Sequence, residues 1–422
     1  MRFAVLLFFL LPVLAQASVR EAAEWRSIWL EASEFPAFVQ GQPVKKLSLV
    51  RWDNQHFVPV TFQFDEMNQN GLVYLSDKQG SIDGVEGEFD SHDQLGFMWR
   101  DAGVEQAPAT AKPARGEKLL EIAVRLAEEP VRYVYLLKNA PERNDMKYVD
   151  HDFDSGITFT PRYVLKVAPD NELHWNDFRF QGYTGVGSII KELRMRMSGR
   201  MLSRFSPAVV LDNNNLKPQL VAKKQGPIRT IMLLRIRVVV LGIPVMSIYE
   251  QVSRYASRYQ AITHTHIPAL YRATLKDPHV AVSFVGNDLL NSTLETALSE
   301  GERLLVDGNF SKAEKALAKR AIDNAHNWVY FDSQQQFVMV NRLDIPDYLS
   351  TVPVSLVYEE KAQPDGRDQL LPNVGYAIDA WPEEKQMLFG LDLFFDNALH
   401  GLTPQDYLNI RAQKPWVQFN TF

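Results

Sequence analysis

Hydrophobic residues recur at every second position along much of this chain. In HFVPVTFQF, Val58, Val60, Phe62 and Phe64 keep the period of two that places side chains on one face of a strand. Pro59 in that run suits an edge strand or a strand start, because proline has no N–H to give to a ladder. NQNGLVYLSD sets the turn pair Asn70-Gly71 before Leu72 to Leu75, so residues 58–76 are expected to form a hairpin. KKLSLVRW, QLGFMW, GITFTPRYVLKV and LHWNDFRFQGY read as further strands. EKLLEIAVRL and VRYVYLLK read as a strand pair around Glu129-Pro130; Leu, Glu and Ala also favour a helix over 117–129, but Ile122, Val124 and Leu126 alternate. The apolar run from Ile231 to Tyr249 is broken by Arg235, Arg237, Gly242 and Pro244. Two arginines in hydrocarbon are too costly for a membrane helix, so the run predicts long adjoining strands with one buried face. Lys191 to Arg204 fits a strand or a short amphipathic helix.

Helical signals are few. Glu21 to Phe35 allows a short amphipathic segment. Ser292-Thr293-Leu294-Glu295 and Ser311-Lys312-Ala313-Glu314 match capping boxes, and Ala313, Ala316, Leu317, Arg320, Ala321 and Ala325 share a helical face, so two helices are expected. Strand patterns resume at NWVYFDSQQQFVMVNRL and continue through VPVSLVYEE, NVGYAIDAW, KQMLFGLDLFF and PWVQFNTF, with Asp365-Gly366 as a turn between two of them. The expected fold is therefore mostly β: a large antiparallel β-sandwich, or an extended two-part sandwich, with a small helical insertion. The expected parts are an N-terminal β region over 18–103, a loop or linker over 104–116, a main sandwich region over 117–286, the insertion over 287–327 and a closing β region over 328–422. A membrane barrel also alternates, but Val417, Phe419 and Phe422 do not keep one face and the capped helices do not belong in one.

Residues 1–17 change the setting. Arg2, the apolar run Phe3 to Leu11 and the Ala15-Gln16-Ala17 end read as a secretory signal peptide, with an apolar core too short to span a bilayer comfortably. The mature chain is expected in the periplasm or outside the cell, with no transmembrane segment after the signal. The chain has no cysteine, which excludes a disulfide scaffold, a thiolate nucleophile and thiolate metal sites. A net charge of −6 over 422 residues does not point to nucleic acid. No glycine-rich phosphate loop follows a strand, and no G-x-S-x-G, H-E-x-x-H or C-x-x-C-H motif is present.

Three clusters carry candidate chemistry. In SIDGVEGEFDSHDQLGFMW, Asp83, Asp90 and Asp93 sit in an acidic Gly-containing loop that offers oxygen ligands for calcium, though without EF-hand spacing; a solvated turn is the plainer reading. Asp150, Asp152 and Asp154 would share one face of an extended strand and are a second candidate cation site, unless Asp152 to Gly156 is a turn in which Asp and Ser cap backbone amides. The third cluster is the most varied. His264 and His266 would share a strand face, and with Tyr255 and Arg258 they form the candidate catalytic set. Glu250, Arg254, Tyr259 and the more distant Trp175 form the candidate ligand-binding set, in which Arg254 and Arg258 on one face with Glu250 either hold an acidic sugar or form an internal salt-bridge ladder. The sequence thus predicts an exported protein that binds an envelope or extracellular ligand, a polysaccharide or envelope component, without turnover and without an identified catalytic motif. A polysaccharide lyase or glycoside hydrolase, and an envelope assembly protein with a protein partner, are the alternatives.

Overall fold

A computed structural model describes residues 18–422 apart from 141–142, 170, 241, 288, 300, 348–351, 363–368 and 382–385. The signal segment and the Asp365-Gly366 turn lie outside the described residues. The fold is mostly β, with several antiparallel sheets and small helical insertions, and its contacts divide it into two units.

The first unit comprises residues 18–149, 224–230 and 399–422. Its five-stranded sheet runs in the order Trp416–Asn420, Glu117–Arg125, Arg132–Lys138, Leu47–Trp52, Phe57–Pro59. Pro59 thus ends an edge strand. Glu117–Arg125 and Arg132–Lys138 are the expected pair, strand rather than helix. The HFVPVTFQF run is split: Phe57–Pro59 joins this sheet, whereas Phe62–Asp65 pairs with Gln94–Met98 in another. The expected hairpin over 58–76 shrinks to a bridge between Met67 and Val73, closed by Asn68 Oδ1, which accepts from the amides of Asn70 and Leu72. Asp65, fully buried, holds the unit together from within. It accepts from Arg229 Nε at 2.7 Å and lies 2.8 Å from Lys224 Nζ.

The second unit comprises 150–223 and 231–398. A nine-stranded sheet, which apart from residues 224–225 and 229–230 belongs to it, contains, in spatial sequence, Leu216–Gln225, Arg229–Val240, Ile243–Tyr255, Arg258–His266, Gln386–Asp396, Val338–Asp344, Trp328–Asp332, Thr293–Thr296 and Leu304–Leu305. Its inner face shares one apolar core with a five-stranded sheet that includes Ile190–Met201, Leu275–Gly286 and Gln369–Ile378. A four-stranded sheet, Asp150–Asp152 to Asn171–Phe180, contributes Trp175 and Phe178 to the same core. The arginines of the long apolar run behave as alternation requires: Leu234, Ile236 and Val238 are buried, while Arg235 and Arg237 are exposed. Gly242 takes the positive φ, +82°, between that strand and the next, a conformation that suits glycine. Lys191 to Arg204 is strand, over Ile190–Met201.

The helical insertion is smaller than expected. The Ser311 capping box is present, with Ser311 Oγ accepting from the Glu314 amide, but its helix covers only Lys312–Leu317. Ser292 to Glu295 is not a helix start. Thr293–Thr296 is a strand paired with Trp328–Asp332, because burying Leu294 against that sheet outweighs the local cap. Ser27–Glu31 is also a strand, where an amphipathic segment was expected, flanked by a helical turn over 18–23 and a 3-10 turn over Ala32–Glu34. One helix the sequence reading passed over, Pro404–Ala412, starts with Thr403 as N-cap and proline in its first turn.

Candidate functional site

The strands Ile243–Tyr255 and Arg258–His266 are joined by the two-residue turn Ala256-Ser257, and their register fixes what each face carries. Tyr249 lies opposite His264, Glu250 opposite Thr263, and Arg254 opposite Tyr259. Side chains alternate, so Glu250, Arg254 and Tyr259 share the inner face, while Tyr255, Arg258, His264 and His266 share the outer one. The turn therefore separates Arg258 from Arg254 and Glu250, and the single arginine face expected from spacing does not form. The candidate catalytic set stays together on one face and the candidate ligand-binding set occupies the other.

Arg254 is a structural tie. Its guanidinium is fully buried, pairs with Glu172, donates to Thr158 and lies 3.0 Å from Nδ1 of His151. Burial first and the Arg254 charge second push the His151 pKa down to about 3, so His151 is neutral and its Nδ1 accepts from Arg254. The cluster pins the four-stranded sheet to the nine-stranded one. Trp175 is likewise core: its ring stacks on Phe178 at 5.7 Å and meets Tyr259 and Phe284 edge-on.

The two acidic clusters are occupied by backbone. Asp93, which burial raises to a pKa of about 6, accepts from the amides of Met67 and Asp90; Asp90 accepts from Val85, and Asp83 meets His92 at 2.9 Å. Asp150 and Asp152 do share the exposed side of a short strand with His151 turned inward. Asp154 has left that strand: Asp152 accepts from its amide and from Ser155 Oγ, which is the Asp/Ser turn. Among the described residues no three His, Asp or Glu side chains group as ion ligands.

On the outer face, Arg258 gives Nε and Nη2 to one oxygen of Asp392, at 2.9 and 2.5 Å, and Arg342 gives Nη2 to the other at 3.0 Å. Arg258 also lies over the rings of Tyr255 and Phe394, at 5.0 and 5.3 Å. His264 is half-buried, which lowers its pKa, and His266 is exposed. Sequence reasoning missed the centre of this face. Gly390 lies opposite Ile262 on one neighbour and Asp344 on the other, and a Cβ there would meet only Asp344 Cβ, at 3.6 Å. The result is a floor without a side chain, where a ligand can approach backbone closely. It is bordered by exposed Asp344, half-buried Gln260 and Arg342, and buried Asp392, with Trp328 on the strand beyond opposite Arg342. The i, i+2 spacing in Arg342-Leu343-Asp344 and Gly390-Leu391-Asp392 was the available signal.

No family model and no curated protein matches the sequence. Among solved structures, the chain is similar to an α-mannosidase from Enterococcus faecalis V583, with a TM-score of 0.51 and 10% identity over 94% of this chain and 45% of that one. A protein of glycosyl hydrolase family 38 from Enterococcus faecalis gives a TM-score of 0.53 and 9% identity over 94% and 46%. The chain thus spans less than half the length of these proteins, and the likeness is one of fold, a β architecture found in carbohydrate-active enzymes. No described helix is long and apolar enough to cross a membrane.

Proposed function

We propose that this chain is an exported carbohydrate-active protein and that it engages a glycan on the outer face of the nine-stranded sheet, around Gly390. The observation that carries the reading is the side-chain-free floor bordered by Asp344, Asp392, Arg342 and Gln260, in a fold shared with an α-mannosidase. A sugar ring laid on Gly390 meets hydrogen-bonding groups on both flanks. The arginines are offset by Asp392 and Asp344, which suits a neutral glycan better than an acidic one.

For turnover, glycoside hydrolysis needs two carboxyl groups roughly 5–9.5 Å apart. Asp344 and Asp392 are diagonal neighbours on adjacent strands, a relation that sets backbones about 7–8 Å apart and Cβ atoms somewhat closer. Asp344, the exposed partner, is the proposed acid or base. Retention without turnover is the second reading, favoured by the two arginines that lock Asp392 in place. The test is a screen of neutral and acidic polysaccharides for both retention and new reducing or unsaturated ends. Products that vanish in Asp344→Asn while retention persists support hydrolysis, and retention without products supports binding alone. Neither retention nor products across the screen overturns the carbohydrate reading and favours an assembly role with a protein partner.

A further inference from the structure

Beneath that face, inside the sandwich, lies a different environment. A cavity of about 80 Å³ opens between the two sheets of the second unit, several times the roughly 10–15 Å³ that one water needs on a similar measure. Leu193, Met195 and Met197 line it from one sheet and Met246, Ile248 and Phe389 from the other. Protein interiors are normally close-packed, so space of this kind between two sheets calls for an explanation. Methionines make such a wall adaptable, because the unbranched thioether chain repacks around an incoming group.

Five polar side chains interrupt this apolar lining, Glu250, Tyr259, Thr263, Tyr376 and Trp381, and the Tyr376 hydroxyl is engaged with the Asn327 carbonyl. Glu250 is 4% exposed and its carboxyl is perturbed by burial alone. Tyr259 is 1% exposed, and among the described residues neither its hydroxyl nor the indole N–H of Trp381 has a hydrogen-bond partner. Burial first and the Glu250 charge second raise the Tyr259 hydroxyl's pKa, and small Ala261 lines the cavity as well. Leaving a buried hydroxyl and a buried indole N–H unsatisfied is costly, and proteins seldom do so in a purely structural core.

We infer that this cavity binds an aliphatic molecule ending in a hydroxyl group, its chain among Met195, Met197 and Met246 and its hydroxyl between Glu250 and Tyr259. An alcohol has what each group needs, an O–H to donate to the Glu250 carboxyl and an oxygen to accept from the Tyr259 hydroxyl. Above about pH 7, where the titration with these ligands is run and Glu250 is ionised, a fatty carboxylate would face it with like charge. An alkylammonium would pair with Glu250 and leave the Tyr259 hydroxyl without a lone pair to donate to. The inference stands apart from the glycan reading, since the cavity is on the other side of the sheet.

Calorimetric titration of the full chain with 1-decanol, decanoate and decylamine tests it. Decanol is expected to bind with saturation, and the other two more weakly by tenfold or more. Glu250→Leu and the near-isosteric Tyr259→Phe are each expected to weaken decanol about tenfold, the scale of one lost buried hydrogen bond. Met195→Trp, which fills the apolar part, is expected to abolish binding. Absence of decanol binding overturns the proposal. So does equal binding of decanoate or decylamine, or decanol affinity unchanged in both Glu250→Leu and Tyr259→Phe. A negative glycan screen with positive decanol binding would leave this site standing and the outer face without its ligand.

Discussion

Glu250→Gln should make the protein more stable, and only at neutral and alkaline pH. Burial with no compensating cation pushes the Glu250 pKa from 4.5 up to about 7. The folded state therefore holds a proton that the unfolded state has released between those values, so stability falls as pH rises through the window. A shift of about 2.5 units corresponds to roughly 3 kcal/mol, absent below pH 4.5 and fully present above about pH 7. The titratable group facing Glu250 is Tyr259, whose own pKa burial drives upward, so it stays neutral throughout. Arg254, four residues along the same face, is engaged with Glu172. Glutamine keeps the shape and never ionises. Urea unfolding of parent and variant at pH 4.5, 6, 7 and 8.5 checks the expectation, since the difference between them cancels Asp93, His151 and every other titrating group. The gap should open from near zero to about 3 kcal/mol, about 1 M or more in midpoint at unchanged slope. A gap that does not vary with pH, or a variant less stable than its parent at pH 8.5, refutes the reasoning.

Four further outcomes follow from the same contacts. Arg254→Met should cost about 3–5 kcal/mol in chemical unfolding, because Glu172 is left as an unpaired charge in the interior. Asp65→Asn should cost a similar, slightly smaller amount. Arg229 and Lys224 hold the folded Asp65 pKa below its usual value, so its contribution is present above about pH 4 and lost as pH falls through the folded pKa; the gap between variant and parent should close in acid. Trp175→Ala should destabilise by roughly 3–5 kcal/mol as a core truncation, with any change in glycan retention following stability rather than contact. Gly390→Ala should leave the unfolding midpoint nearly unchanged, since among the described residues the added carbon meets only Asp344 Cβ, yet weaken retention on the glycan that the parent binds in affinity electrophoresis.

What the sequence discloses here is local, and what it conceals depends on pairing between distant strands. Alternation alone predicted Arg235 and Arg237 outward on a long strand, and Glu117–Arg125 with Arg132–Lys138 as a pair, because a period of two determines a face without naming a neighbour. Local chemistry also predicted the Ser311 cap and offered the turn at Asp152, where both partners are within three residues. It failed where tertiary burial overrode it, as at Ser292, and where a two-residue turn hides inside a polar run. YASR in residues 255–258 does not advertise a reversal, and reading through it placed Arg254 and Arg258 together. Once Ala256-Ser257 is a turn, every assignment beyond it changes face.

That reversal joins the two candidate sites into one argument about the hairpin. One ribbon of two strands presents Arg258, Gln260 and His264 outward and Glu250, Tyr259 and Ala261 inward, so each residue beside the Gly390 floor is one position from a residue at the core or the cavity. Gln386–Asp396 repeats the pattern, with Gly390 and Asp392 outward and Phe389 and Leu391 in the cavity wall. A sheet that is polar on one face and packed against an apolar core on the other cannot slip register by one residue without putting Arg258 in the core and Tyr259 outside. Asp392 accordingly does two things. Bound by Arg258 from one neighbouring strand and Arg342 from the other, it locks three strands in register, and it thereby fixes the edges of the floor on which the proposed glycan would lie.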